Sequence, residues 1–213
     1  MPPPAFPSSR RYLPAASHDF LLPAYDPIMW LLGFRKALLP LVDQAELQDG
    51  YTVLDVGCGT GTLTILIAER HRGVRVTGVD PDPKALARAE RKAARTGAAI
   101  AFERGFGDAL AHPDASFDRV FSSMMFHHVP KDEKLDVLKE IRRVLKPRGR
   151  LEFLDFAGGT HTMLAHVLHG RQASAPAEAR LLQRMREAGF SAARRIGTRG
   201  TIAGPIAYYQ AIA

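Results

Sequence analysis

The sequence predicts an α/β fold: a seven-stranded, mostly parallel sheet with helices on both faces. Two observations carry this. Short apolar or β-branched runs alternate with amphipathic helical stretches from residue 51 to residue 156, the pattern of a covered parallel sheet. The first run also passes directly into a glycine-rich turn that opens a helix, as ligand-binding α/β sheets do at a strand end. A length of 213 residues suits one such domain with a full core.

Taken in order, residues 1–25 form an N-terminal arm, with five prolines in its first 14 positions and no periodicity to build a core. The domain proper spans 26–213. Asp26 and Pro27 read as N-cap and first helical residue of an amphipathic helix through Val42. Tyr51–Val56 is a strand, Thr62–His71 a helix and Val74–Val79 a second strand, which makes a βαβ unit. Asp82 and Pro83 cap a helix that Gly97 stops near Thr96. Ala98–Phe102 and Phe117–Ser122 are further strands. A helix over Lys131–Leu145 then turns at Pro147 and Gly149 into the strand Arg150–Phe156. Pro176–Ala188 is a helix, and Ala192–Ile196 and Ile206–Ile212 complete seven strands of a Rossmann-like sheet. Ligands of such sheets sit outside the carboxyl ends of the strands.

Composition narrows the class. The chain is 46% hydrophobic and 24% charged, as ordinary globular proteins are. Cys58 is the only cysteine, which rules out an intramolecular disulfide and a thiolate cluster and suits a reducing, cytoplasmic setting. No apolar run is long enough to span a bilayer, and prolines occupy the place of a signal peptide's apolar segment. The net charge of +7 could attract anions, but Arg88, Arg91, Lys92, Arg95, Arg142 and Arg143 fall on helical faces and read as solvated charge. Nucleic acid is therefore not the expected partner. His161, His166 and His169 lack a nearby carboxylate to complete a ligand set, so no metal is expected. Tyr208 and Tyr209 read as core aromatics. The sequence does not specify an oligomeric state.

The chemistry-bearing segment is Val53-Leu54-Asp55-Val56-Gly57-Cys58-Gly59-Thr60-Gly61. Glycines let the backbone approach a ligand closely, and the helix start that follows offers N–H groups to an anion. A dinucleotide fingerprint would require glycine at Thr62; here the third glycine is Gly61, which disfavours a nicotinamide oxidoreductase. The second strand ends in Gly78-Val79-Asp80-Pro81-Asp82, and a carboxylate there can accept from both ribose hydroxyls. Asp82 itself reads as the helix N-cap.

Three further segments complete the pattern. They are Gly105-Phe106-Gly107-Asp108-Ala109-Leu110, the run Phe117-Asp118-Arg119-Val120-Phe121-Ser122-Ser123-Met124-Met125-Phe126-His127-His128, and Leu138 through Leu151. In this order they resemble class I S-adenosylmethionine-dependent methyltransferases, and with Tyr25-Asp26-Pro27 and the double histidine are similar to the ubiquinone and menaquinone C-methyltransferase group and its small-molecule relatives. The resemblance covers residues 51–156, about half of the chain, and weakens after residue 157. It implies S-adenosyl-L-methionine as cofactor, with Gly57, Cys58, Gly59 and Gly61 around its methionyl part, Asp55 toward the amino end, and Asp80 with Pro81 at the ribose. Asp108 and the Ala109 N–H would meet the adenine, and Ser122 and Met124 would lie beneath the sulfonium end. The implied acceptor is a small or lipid-like molecule in a pocket that includes Tyr25 and His127. His127, or alternatively His128, would take a proton from a phenol or activated carbon acid. A non-catalytic cofactor- or RNA-binding module of the same fold is the competing reading.

Overall fold

The computed structural model of the chain describes residues 34–98, 100–157, 174–202 and 204–213. The expected arm, Tyr25, the start of the first helix and the histidines between 161 and 169 lie outside these. In chain order the described elements are α1 (Phe34–Asp43), β1 (Thr52–Val56), α2 (Thr62–Arg70), β2 (Arg75–Asp80), α3 (Pro83–Ala93), β3 (Ile100–Arg104) and β4 (Phe117–Ser123). A short 3₁₀ turn, Phe126–His128, precedes α4 (Lys134–Val144), β5 (Leu145–Phe156), α5 (Ser174–Glu187), β6 (Ala192–Thr201) and β7 (Gly204–Ile212).

The seven strands form one sheet in the order β3-β2-β1-β4-β5-β7-β6. The first five run parallel, and β7 is antiparallel to both β5 and β6. The strand order reverses between β1 and β4, so a crevice opens above their carboxyl ends, where such sheets bind ligands. The two-residue alternation along β1 splits the core. Leu54 and Val56 pack with Val120, Phe153, Val137, Ile141 and Met185 on one face, while Val53 joins Phe121, Leu154, Leu41 and Ile67 on the other. Tyr208 and Tyr209 are buried, one on each face.

The elements depart from the sequence expectation at their ends. Asp82 caps α3 as expected, its side chain accepting from the Lys84 N–H at 2.8 Å, but α3 stops at Ala93 and Gly97 follows at φ +67°. The strand β5 begins at Leu145, because the Pro147–Gly149 turn is absorbed as an irregularity in its pairing with β4. Likewise α4 starts at Lys134, and β6 continues to Thr201 because β7 pairs along its whole length.

A buried polar cluster ties the connection between α1 and β1 to the middle of the sheet. Glu152 is fully buried and accepts from Gln44 Nε2 at 2.7 Å and Gln210 Nε2 at 3.1 Å. The Ala45 carbonyl accepts from Arg119 Nε at 2.8 Å and Arg150 Nη2 at 2.6 Å. Burial pushes the Glu152 carboxyl up to about 7, against the pull of the Gln44 hydrogen bond and the Arg150 charge. A carboxyl raised on folding binds its proton more tightly in the folded chain, so that stabilisation is complete below about pH 4.5 and is lost as pH rises through about 7. Stability measured by urea unfolding is expected to fall by on the order of 2 kcal/mol between pH 5 and pH 8 on account of this group. The Glu152→Gln variant should flatten that slope; an unchanged slope would contradict the assignment.

Candidate functional site

The loop after β1 is folded back onto β2. Gly57 N–H and Cys58 N–H both donate to the Val79 carbonyl, at 2.8 and 3.1 Å. Gly57 takes φ +76° and Gly61 +75°, a left-handed region that side chains resist. Space demands glycine there as well: a Cβ on Gly57 would run into the Met125 side chain, and one on Gly61 would meet the Ala89 Cβ at 2.8 Å. The sequence thus forces a bare backbone ridge directly below the crevice.

Two carboxylates hold this ridge from different sides. Asp80, at the end of β2, accepts from the Gly59 N–H at 2.8 Å through one oxygen and from the Asp82 N–H at 2.9 Å through the other. Burial raises it to about 6 despite those two bonds. Asp55 lies beneath the loop, 1% exposed, accepting from Thr64 Oγ1 at 2.7 Å. Its Oδ1 has no partner among the described residues, and burial pushes the group up to about 7. Cys58 is buried, and desolvation with the Asp55 charge beside it holds its thiol well above the usual range. It is shaped for packing, not nucleophilic attack.

The far wall comes from the ends of β3 and β4. Gly105 N–H donates to the Asp80 carbonyl at 3.2 Å, and the turn 106–109 closes with the Ala109 N–H on the Phe106 carbonyl at 3.2 Å. Beyond β4, Met124 takes φ +54° and donates its N–H to the Leu154 carbonyl at 2.8 Å. A methionine there is strained, and strain of this kind gathers at functional sites. The 3₁₀ turn that follows is held at three points. Lys134 Nζ donates to the Phe126 carbonyl at 2.8 Å, the His127 N–H donates to Asp155 Oδ2 at 2.9 Å, and His127 Nδ1 lies 2.7 Å from Asp155 Oδ1. The His127 and His128 rings are 4.0 Å apart and tilted by 42°.

These elements enclose a cavity of about 870 Å³, within the range of small-molecule sites. Of the residues singled out from sequence, Gly57, Cys58, Gly59, Asp80, Pro81, Asp108, Met124 and His128 form its wall. Five others lie behind it. Asp55 and Gly61 sit under the loop, the Ala109 amide is taken up by its own turn, and Ser122 is 1% exposed on the strand. His127 stands one layer behind His128, against Asp155, with 15% of its side chain exposed. Sequence reasoning did not find Asp155, which holds His127 from behind, or Met125, Thr60, Lys92, Phe34 and Arg35, which border the cavity. Only Met125 carried a local signal, its adjacency to Met124.

The donor set suits a nucleoside cofactor. A glycine ridge stripped of side chains, one carboxylate at the end of β2 and a second beyond β3 can take a backbone-hugging chain, a diol and an exocyclic amine in one cleft. These features define a nucleoside-binding α/β domain. Comparison with known proteins narrows it. A family model described as a methyltransferase domain matches residues 53–149. The chain is 37% identical over 139 residues to a demethylmenaquinone methyltransferase from Thermus thermophilus, covering 64% of this chain and 62% of that one. It is 36% identical to a 27-O-demethylrifamycin SV methyltransferase from Amycolatopsis mediterranei, over 54% of this chain and 42% of the relative. The chain thus spans less than two thirds of the length of these relatives. A solved SAM-dependent methyltransferase from Methanosarcina mazei superposes with a TM-score of 0.63 at 25% identity, over 81% of this chain and 95% of that one. Residues 53–149 match a methyltransferase domain, and the chain is similar in sequence and fold to S-adenosylmethionine-dependent methyltransferases.

Asp80 gives the site a pH signature. If it accepts ligand hydroxyls, its ionised form is the stronger acceptor, and affinity for S-adenosylhomocysteine is then expected to decline as pH falls through about 6. Calorimetry on Asp80→Asn should give binding at least about tenfold weaker, the loss expected for a charged hydrogen bond, with no pH dependence in that range. A variant that retained both the affinity and its pH dependence would contradict the role.

Proposed function

We propose that this protein transfers a methyl group from S-adenosylmethionine to a small or lipid-like acceptor by in-line displacement. The observation that carries the reading is a single cavity whose wall carries two chemically different sets of residues. One is the glycine ridge with Asp80 and Asp108; the other is Met124, Met125, His128 and Val129. When bound, S-adenosylmethionine supplies a methyl on a positively charged sulfur, already activated for transfer. What the chain adds is alignment and exclusion of water. Asp80 accepts from the ribose hydroxyls and Asp108 from the adenine amine, while Asp55 fixes the ridge from below through Thr64.

On the acceptor side, Asp155 holds His127 through both its N–H and its Nδ1. His128, which lines the cavity, takes the proton of a hydroxyl or activated carbon as the new bond to the methyl forms, and His127, held against Asp155 behind it, positions that ring. The apolar part of the cavity wall and the relatives' names favour acceptors of the quinol kind. No helix among the described residues is long and apolar enough to cross a membrane.

The test is transfer of labelled methyl from S-adenosylmethionine to reduced demethylmenaquinone and to simple phenols. His128→Gln is expected to lower the rate by about two orders of magnitude or more, the usual contribution of a positioned base, with S-adenosylhomocysteine affinity within twofold of wild type. His127→Gln should lower the rate less, because it reaches the acceptor only through His128. Cofactor binding without methyl transfer to any acceptor would contradict the catalytic reading.

A further inference from the structure

The loop that carries Asp108 is fastened to α4 by one arginine whose every donor is engaged. Arg143 directs Nε to Glu140 Oε1 at 2.8 Å and Nη2 to Glu140 Oε2 at 2.8 Å. Its remaining donors go to the loop: Nη2 to the Leu110 carbonyl at 3.0 Å, and Nη1 to the His112 carbonyl at 2.8 Å and Asp114 Oδ1 at 2.7 Å. A guanidinium has five N–H donors in a fixed fork, and these five bonds use them all. Glu140 completes the clamp by accepting the Leu110 N–H at 3.0 Å.

The backbone of α4 joins in. Ala115 N–H donates to the Arg143 carbonyl at 3.0 Å and Ser116 N–H to the Val144 carbonyl at 2.8 Å. The anchored stretch begins at Leu110, two residues beyond Asp108, and Leu110 is itself buried in the core with Val137 and Ile141 of α4. The pair is only part-exposed, 31% for the Arg143 side chain and 22% for Glu140. The Arg143 hydrogen bonds hold the Glu140 carboxyl below its ordinary value. An arginine whose purpose was solubility would not spend two donors on carbonyls of a loop some thirty residues away in sequence.

We infer that Arg143 and Glu140 are positioning residues for cofactor binding: by clamping residues 110–114 they hold Asp108 at the cavity wall, and so set affinity for the adenosine end of the ligand without touching it. The inference rests on the proposed methyltransferase reading. It predicts loss that follows the nucleoside and depends on Asp108, which general destabilisation would not produce.

The experiment is calorimetry on wild type, Arg143→Met, Asp108→Ala and the double variant, with S-adenosylhomocysteine and 5′-deoxy-5′-methylthioadenosine as probes. Thermal melts confirm that each variant is folded at the titration temperature. Arg143→Met should weaken both probes by the same factor, about tenfold or more as for a lost charged hydrogen bond, and the double variant should bind no more weakly than Asp108→Ala alone. Hydrogen exchange should quicken at residues 105–114 in Arg143→Met and stay as in wild type along β1. If Arg143→Met does not fold, Glu140→Gln, which keeps the arginine, should show the same pattern in smaller degree. Folded variants that bind both probes within twofold of wild type would overturn the clamp and leave the methyltransferase reading standing. Additive losses in the double variant would overturn the route through Asp108. Wild type that binds neither probe would overturn the methyltransferase reading and the clamp with it.

Discussion

The Asp80 carboxylate is the joint on which the upper edge of the sheet turns. One oxygen holds the Gly59 N–H and the other the Asp82 N–H, so a single side chain fixes both the glycine ridge after β1 and the entry to α3. Around that joint the backbone closes in sequence: Gly57 and Cys58 bond to Val79, and Gly105 bonds to Asp80. Three strand ends are brought to one level by these bonds, and the crevice between β1 and β4 acquires its floor from them. Burying the carboxylate carries a cost, which shows as its raised proton affinity, and a ligand whose hydroxyls add to the backbone donors would recover part of it.

Below the joint the domain keeps other carboxyls under similar stress. Asp55 and Glu152 are both buried and both pushed up to about 7, yet they serve different ends. Glu152 has partners on each side and locks the connection after α1 to β5 and β7. Asp55 has one oxygen on Thr64 and one without a described partner. Such an unsatisfied buried oxygen is expensive, and its place under the ridge links the stability of the core to the geometry of the site.

Much of this was legible in the sequence because it is encoded locally. Glycines at 57, 59 and 61 follow a β-branched strand, and Asp80 ends the next one; both signals lie within a few residues of the feature they build. Asp82 announced itself through Pro83. What was not legible depends on where strands stop. The family resemblance implied Ser122 and Met124 together beneath the sulfonium end, but the strand ends at Ser123 and Met124 turns through a positive φ. Ser123, Met124 and Met125 therefore share the wall while Ser122 stays on the sheet. Asp155 stands 28 residues from His127 and had no local mark, because the parallel pairing of β4 with β5 alone brings them together. The choice between His127 and His128 likewise turns on a 3₁₀ turn that the sequence does not display.

The central claim is that a ridge of acidic-x-G-x-G-x-G form, with Asp80 beside it, receives S-adenosylmethionine and not a dinucleotide. Calorimetric titration of the wild-type protein with S-adenosylmethionine and, separately, with NADH tests it most directly. The account predicts affinity on the order of micromolar, roughly −8 kcal/mol, for S-adenosylmethionine and no detectable heat with NADH. Binding of NADH in preference, or of neither ligand by folded protein, would contradict it.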